Sequence, residues 1–228
     1  EEGSEIACSM PREYAEHEVM LQLQDIEYED CLRDCKLIFR QNGGEVLTSI
    51  FLMSLCSPVL RKMFCGNFRE GSCKEVVLED VSSVAFEGAL DLWIGKEIVT
   101  YDLDELMAIG GAADRFGMES VRDRVEDLIH DLITEDRELC VDALNLCARI
   151  PLAGVEQFAL ATALDDFDRL CASGKLCDAT EESLSSLLRD DGLCVDSEAR
   201  VLELLARWCE APGRAQPAAR LFPLVRFG

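Results

Sequence analysis

The sequence predicts an α+β domain, in which short helices cover a small sheet, followed by an all-helical domain. Two observations carry this prediction. Residues in the first half alternate with the period of two that is typical of strands, and they surround a tight turn. After Met118, every periodic segment has helical spacing. A length of 228 residues with 49% apolar composition is sufficient for two modest cores.

The predicted elements of the first domain begin at residue 17, because residues 1–16 show no sustained period and we expect them to be flexible. The helix His17–Ile26 is predicted to carry one apolar stripe. A hairpin over Cys35–Phe39 and Val46–Leu47 turns at Asn42-Gly43-Gly44. Two helices, a strand, a helix that Gly95 ends, a second strand and a last helix follow, at Leu52–Cys56, Val59–Phe64, Val76–Leu78, Phe86–Trp93, Ile98–Thr100 and Leu103–Ala113.

Helices alone are predicted for the second domain, and a boundary near residue 125 gives a first domain over 17–125 and a second over 126–228. Ser57 is expected to cap the helix before Pro58, and Ser197 the last predicted helix. Apolar residues at helical spacing indicate helices at Val121–Leu132, Val141–Cys147, Val155–Leu170, Leu184–Leu188 and Ser197–Trp208.

The charge balance excludes two classes of partner. The chain has 45 acidic and 22 basic residues, for a formal net charge of −23. Such a chain repels phosphate backbones and anionic lipid surfaces, so we expect neither nucleic acid nor a membrane as partner.

The twelve cysteines are spread through apolar helical patterns, and we expect them to be reduced and mostly buried. No secretory signal or long uncharged apolar run is visible, which predicts a location in the cytoplasm or nucleus. The chain has two histidines, His17 and His130, and neither lies near a cysteine pair at metal-ligand spacing. We therefore predict no metal, no cofactor and no catalytic residues.

One segment closely resembles a known protein family. The run from Ser54 to Phe64 is similar to the two-helix core of BTB/POZ domains, in which a Ser-Pro step precedes an apolar helix that ends in Met-Phe. Segments similar to the family's strands flank it, at 34–37 and 75–82. Beyond residue 133 the chain resembles a BACK domain, at Asn145–Ala148 and in the helix from Ser197-Glu198 to Trp208. No kelch propeller, which follows in kelch-like proteins, is visible.

The resemblance implies a cullin-3 adaptor with a defined contact. In this family an apolar residue, any residue and then Glu contact the cullin after the Met-Phe helix, and Phe68, Arg69 and Glu70 match this pattern. Met63, on the helix itself, joins the predicted contact. The alternative is a phenylalanine folded back onto the domain and a solvated glutamate.

The resemblance also implies a homodimer, because the family's N-terminal helix packs across a two-fold axis. The predicted dimer residues are the apolar stripe and one acid: Val19, Met20, Leu23, Ile26 and Asp34. Packing of this helix against its own chain is the alternative.

The predicted function is a non-catalytic adaptor that brings an unknown substrate protein to a cullin-3 ubiquitin ligase. Two alternatives remain open: a BTB dimerisation scaffold or transcription regulator without a ligase, and a cysteine-dependent enzyme.

Overall fold

A computed structural model gives the structure of the chain. It describes residues 21–23, 30–66, 74–96, 98, 102–193, 195, 198–214 and 219–225. The chain divides into two compact units. The first unit comprises Glu1–Val99 and Arg115–Val121, and the second comprises Thr100–Asp114 and Arg122–Gly228.

The described elements as far as residue 135 follow the predicted order. Residues 21–23 are helical. A 3₁₀ turn at Asp30–Leu32 precedes three strands and five helices: β1 Cys35–Phe39, β2 Glu45–Thr48, α1 Ile50–Cys56, α2 Pro58–Cys65, β3 Glu75–Leu78, α3 Ser83–Trp93, α4 Leu103–Phe116 and α5 Glu119–Glu135. Of the predicted strand Ile98–Thr100, Ile98 alone is described, and it lies in no strand.

The three strands form one sheet in the order β2-β1-β3. β1 pairs with β2 in antiparallel and with β3 in parallel orientation. Alternate residues of β1 are fully buried, and Leu37 and Phe39 are the largest of them. The predicted hairpin is therefore confirmed, and the sheet has a buried inner face and an outer face.

Ser57 fixes the step between α1 and α2. Its hydroxyl accepts a hydrogen bond from the Leu60 N–H at 3.0 Å and donates one to the Phe116 carbonyl at 2.7 Å. Pro58 occupies the first turn of α2, where a missing N–H costs no helical hydrogen bond. The sequence predicted the cap and the proline, whereas the bond to Phe116 is an additional tertiary constraint.

Aromatic rings join the sheet to the helices of the first unit. The ring of Phe86 on α3 lies 5.6 Å from that of Phe39 on β1, and 5.2 Å from that of Phe116 in an edge-to-face arrangement. All three rings are at most 1% exposed. This cluster lies on the inner face of the sheet.

The described elements after residue 135 are all helical. They are α6 Leu139–Cys147, α7 Ala153–Asp165, α8 Phe167–Ser173, α9 Glu181–Arg189 and α10 Glu198–Cys209, with 3₁₀ turns at Lys175–Asp178 and Phe222–Leu224. The predicted cap Ser197 lies outside the described residues. No helix among the described residues is long and apolar enough to span a membrane.

The prediction of one helix over Val155–Leu170 is wrong, because the helix breaks at Asp166. This residue leaves the helical region, with φ −101° and ψ 17°. Its carboxylate accepts a hydrogen bond from Arg137 Nε at 2.6 Å. After the break, Phe167 and Leu170 are both buried, at 1% and 0% exposure. The new helix direction therefore serves packing, and no Gly or Pro signals it in the sequence.

A polar cluster around Asn145 links α6 to α9 in the second unit. The Asn145 amide oxygen accepts hydrogen bonds from Thr180 N–H at 2.8 Å and from the Ser183 hydroxyl at 2.9 Å. Its NH₂ group donates to the Asp178 carbonyl at 3.1 Å. The Thr180 hydroxyl accepts from the Ser183 N–H and caps α9. One side chain thus satisfies three groups at the start of α9.

Trp208 fixes α10 in the second unit. Its side chain is 1% exposed, and its indole N–H donates to the Ala179 carbonyl at 2.8 Å. The Arg214 guanidinium lies 4.6 Å from the Trp208 ring and donates to the Cys177 carbonyl at 2.6 Å. Two further arginines, Arg200 and Arg207, reach α8, through Asp168 and the Cys171 carbonyl.

The described cysteines form no disulfides with one another. The prediction that they are mostly buried is only partly correct. Four of the nine described are buried, three are intermediate and two are exposed: Cys35, Cys56, Cys140 and Cys147; Cys171, Cys177 and Cys209; Cys31 and Cys65.

We expect Ser57→Ala to lower the free energy of unfolding by about 2–3 kcal/mol, because the change removes a helix cap and leaves the Phe116 carbonyl unpaired in the core. Urea unfolding followed by circular dichroism measures this. Ser49→Ala is the matched control: Ser49 is the N-cap of α1, but its side chain makes no cap hydrogen bond. Equal losses in the two variants would contradict the assigned role of Ser57.

We expect Asn145→Ala to lower the free energy of unfolding by about 2 kcal/mol, since three partly exposed hydrogen bonds contribute somewhat less than about 1 kcal/mol each. Asn145→Asp keeps the acceptor for Thr180 and Ser183 but loses the donor to Asp178, so its loss should be smaller. Urea denaturation of both variants tests this order, and the reverse order would contradict it.

Candidate protein-binding surfaces

The predicted cullin contact is described only at Met63. This side chain is half-buried on α2, where Leu60 and Phe64 face the core. The Gly66 N–H donates to the Lys62 carbonyl and marks the end of α2 at Cys65. Phe68, Arg69 and Glu70 lie outside the described residues. The contact as a whole therefore stays a prediction.

The exposed surface of α2 is basic, in contrast to the acidic chain. Arg61 and Lys62 are both exposed. The Arg61 side chain lies back along α1, because its Nε donates to the Ser54 carbonyl at 2.6 Å. Lys62 adds an exposed positive charge next to Met63, and no ion pair of its side chain is seen among the described residues.

Of the predicted dimer stripe, Leu23 alone is described. It is 8% exposed, so the single chain already buries it. Packing against its own chain accounts for Leu23. Val19, Met20 and Ile26 lie outside the described residues, and the dimer stripe stays a prediction.

Asp34, the fifth predicted dimer residue, has a role within the chain. One carboxylate oxygen accepts a hydrogen bond from the Ile50 N–H, the first of α1, at 2.8 Å. The other oxygen lies 3.4 Å from Lys74 Nζ. Because Ser49 provides no side-chain cap, Asp34 supplies the acceptor that the start of α1 needs. Sequence reasoning missed this contact.

An exposed apolar pair on α1 was also missed. Phe51 is 60% exposed and Leu55 42% exposed. The two residues are four apart, so they lie one above the other on the same side of the helix. The opposite side buries the predicted residues Leu52, Met53 and Cys56. α1 is therefore apolar on both sides, as expected for a helix that meets a partner.

Exposed apolar side chains are concentrated in the first unit. The described residues include eight large apolar side chains that are exposed, and seven of them belong to this unit: Leu21, Leu32, Leu47, Phe51, Leu55, Val77 and Val84. The eighth is Phe222. The first unit is thus the part of the chain best suited to bind proteins through apolar contacts.

Five described thiols, four of them buried and Cys171 partly buried, are poorly suited to nucleophilic chemistry. Burial raises the pKa of Cys35, Cys56 and Cys140 to about 12, and that of Cys147 and Cys171 to about 11. With these pKa values, the five thiols are almost fully protonated at neutral pH. Because the thiolate is the nucleophile, they are unreactive there. The described residues contain no group of three or more side chains placed to hold a metal ion.

Two family models match successive parts of the chain. The model described as BTB/POZ domain matches residues 23–132. The model described as BACK, BTB And C-terminal Kelch, matches residues 140–228. Together they cover nearly the whole sequence.

Curated relatives match over most of the chain. Kelch-like protein 40 of Xenopus tropicalis is 25% identical over 207 residues, which are 90% of this chain and 33% of that protein. Kelch-like protein 41 of Homo sapiens is 25% identical over 214 residues, with the same coverage. Kelch-like protein 21 of Bos taurus is 29% identical over 179 residues, which cover 77% of this chain and 29% of that protein.

The chain spans about a third of the length of the first two relatives. Among solved structures, the BTB domain of human gigaxonin matches 55% of this chain and 98% of its own, at 19% identity and a TM-score of 0.44. The sheet with its short helices agrees with the BTB/POZ match, and the helical region that follows agrees with the BACK match. The chain thus consists of a BTB/POZ domain followed by a BACK domain, and over most of its length it is similar to kelch-like proteins.

Proposed function

We propose that the chain is a dimeric, non-catalytic adaptor that binds cullin-3 and recruits a substrate protein to a ubiquitin ligase. The observation that carries this proposal is the succession of BTB/POZ and BACK matches along one chain. A BTB domain alone is also compatible with a scaffold or transcription regulator. The BACK domain and the cullin motif resemble the adaptor type, so we favour the adaptor.

The proposed cullin contact consists of Phe68 and Glu70, with Arg69 and Met63 beside them. An aromatic anchor that fills a pocket of the partner, next to a carboxylate that fixes orientation, is typical of residues that dominate interface energy. Half-buried Met63 can add apolar area at the end of α2. The substrate would bind through a module beyond the part of the relatives that this chain matches.

The proposed homodimer would use the apolar stripe Val19, Met20, Leu23 and Ile26 together with the exposed pair on α1. Phe51 and Leu55 support it, because an apolar pair on a soluble chain is stabilised when a second copy covers it. Burial of Leu23 within the chain shifts the weight of this proposal to Phe51 and Leu55. Asp34 would contribute by holding the start of α1.

The proposed location is the cytoplasm or nucleus, where cullin ligases act and where protein thiols are kept reduced. The described cysteines, free of mutual disulfides, support this location. No catalytic role is proposed for any of them.

We expect the chain to bind the N-terminal domain of cullin-3 with about micromolar affinity or tighter. Phe68→Ala or Glu70→Ala should weaken binding at least about tenfold, because each variant removes an anchor that contributes about 1.4 kcal/mol or more to the binding free energy. Isothermal titration calorimetry measures this. Phe222→Ala removes an equally aromatic, 42% exposed side chain from the second unit and should bind as the wild type does.

All variants must first be shown to be folded by circular dichroism. Absence of heat from a folded wild-type chain would favour the scaffold, and Phe68 would then be assigned to packing within the domain. Equal weakening by Phe222→Ala would show that the effect is not specific to the motif.

We expect Phe51→Glu to shift the chain from dimer to monomer at micromolar concentration, because a charge would be buried without a partner at the two-fold interface. Multi-angle light scattering measures the mass. Phe222→Glu, the same change at another exposed phenylalanine, should leave the dimer intact. A wild-type monomer, or a dimer that Phe51→Glu does not affect, would contradict the proposed interface.

A further inference from the structure

The second unit contains an apolar cleft that the proposed adaptor function does not use. The cleft has a volume of about 240 Å³ and lies between the end of α9, the start of α10 and the C-terminal 3₁₀ turn. Six apolar side chains from these segments and from the loop between the two helices line it: Leu188, Leu193, Val195, Val201, Leu224 and Val225. The polar residue among its described lining is Glu198, with which α10 begins.

The lining of the cleft changes from buried to half-buried side chains. Leu188, Val201 and Val225 are each at most 6% exposed. Leu193 and Leu224 are half-buried, so part of each side chain faces the solvent. A volume of about 240 Å³ is smaller than the pockets of about 300–1,000 Å³ that enclose a drug-sized ligand. The cleft therefore fits one or two apolar side chains of a protein better than a free small molecule.

Contacts within the chain hold the walls of the cleft. Arg220 donates to the Glu181 carboxylate at the start of α9 through Nε at 2.9 Å and through a terminal nitrogen at 3.0 Å. This double contact ties the segment before the C-terminal turn to α9. The Asp190 carboxylate accepts from the Gly192 N–H at 2.7 Å and fixes the turn before Leu193. Because these walls form without a partner, binding of a side chain costs little ordering of the cleft.

The surroundings of the cleft are acidic. The segment 188–198 contains four carboxylates and one arginine, for a formal charge of −3. Glu198 is exposed, and no cation pairs with its carboxylate among the described residues. A second copy of the chain, which also carries a net charge of −23, is repelled from such a surface. An occupant with a positive charge beside its apolar side chain is complementary to it.

We propose that this cleft binds a short segment of a partner protein in which an apolar side chain stands beside Lys or Arg. The apolar side chain enters the cleft next to Leu193 and Leu224 and loses its contact with water, which supplies most of the affinity. The cationic group lies at the rim and pairs with the Glu198 carboxylate. Because this pair is partly exposed, it adds little affinity and mainly selects the charge and orientation of the segment.

The cleft is independent of the proposed cullin contact and the proposed dimer. All of its lining residues belong to the second unit, whereas Phe68, Glu70 and Phe51 belong to the first. A chain with both sites can hold one protein through each unit. Loss of either site leaves the other proposal standing.

Selection from a random peptide library displayed on phage tests the specificity of the cleft. The target is the full 228-residue chain, and the counter-target is Leu193→Glu, which places a second carboxylate in the cleft. We expect wild type to enrich peptides with an apolar residue beside Lys or Arg, and Leu193→Glu not to enrich them. Enrichment of acidic peptides, of the same peptides by both proteins, or of no peptide would overturn the proposal.

Fluorescence anisotropy of an enriched peptide tests the role of Glu198. Glu198→Gln should weaken binding about two- to fivefold, because it removes the charge at the rim and keeps the shape of the side chain. Glu198→Arg should weaken binding more, at least about tenfold, since it places like charges together. Glu203→Gln is the matched control: Glu203 is also exposed on α10, but it does not line this cleft. Equal weakening by the two glutamine variants would contradict the role of Glu198.

Salt and mass give further readouts. Raising NaCl from about 0.05 M to about 0.5 M should weaken peptide binding to wild type more than to Glu198→Gln. Circular dichroism must show that each variant is folded, and Glu198→Arg, a change at an exposed position, replaces Leu193→Glu as counter-target if that variant unfolds. A dimer of wild type that Leu193→Glu dissociates in sedimentation velocity would assign the cleft to a second copy and overturn the proposal. Unchanged binding of Leu193→Glu to cullin-3 would show that the two sites are separate.

Discussion

The buried hydroxyl of Ser57 is the constraint on which the candidate cullin surface depends. It is 0% exposed, and it binds Leu60 at the start of α2 and the Phe116 carbonyl 59 residues later in the chain. A single rotatable O–H thus sets where α2 begins and ties this point to the aromatic cluster through Phe116. Met63 projects from the same helix, and Phe68–Glu70 follow it in the sequence.

Local patterns predicted most of the fold of the first unit. The hairpin, the Ser57 cap and the helix after Pro58 are all encoded within a few residues of one another, and all three are confirmed. The contact from Asp34 to Ile50 was not predictable in this way. These residues are 16 apart and meet only because the β1-β2 hairpin folds back, while Ser49 at the usual capping position remains unused.

Apolar periodicity also left two questions that only tertiary packing answers. The α1 segment Ile50-Phe51-Leu52-Met53-Ser54-Leu55-Cys56 is apolar nearly all round, so its sequence does not reveal which side is buried. The structure buries Leu52, Met53 and Cys56 and exposes Phe51 and Leu55. The break at Asp166 was likewise hidden, because its cause is the Arg137 contact and the burial of Phe167 rather than a helix-breaking residue.

Burial of the thiols couples the folding of this chain to its sensitivity to oxidants. The pKa of Cys35, Cys56 and Cys140 is about 12 in the folded chain, whereas the ordinary value is 9.0. When these thiols become exposed at neutral pH, their thiolate fraction therefore rises roughly a thousandfold. Oxidants that spare the folded protein therefore attack the opened one. Each oxidised thiol then adds a polar group that the core does not accommodate, so oxidation of the opened chain opposes its refolding.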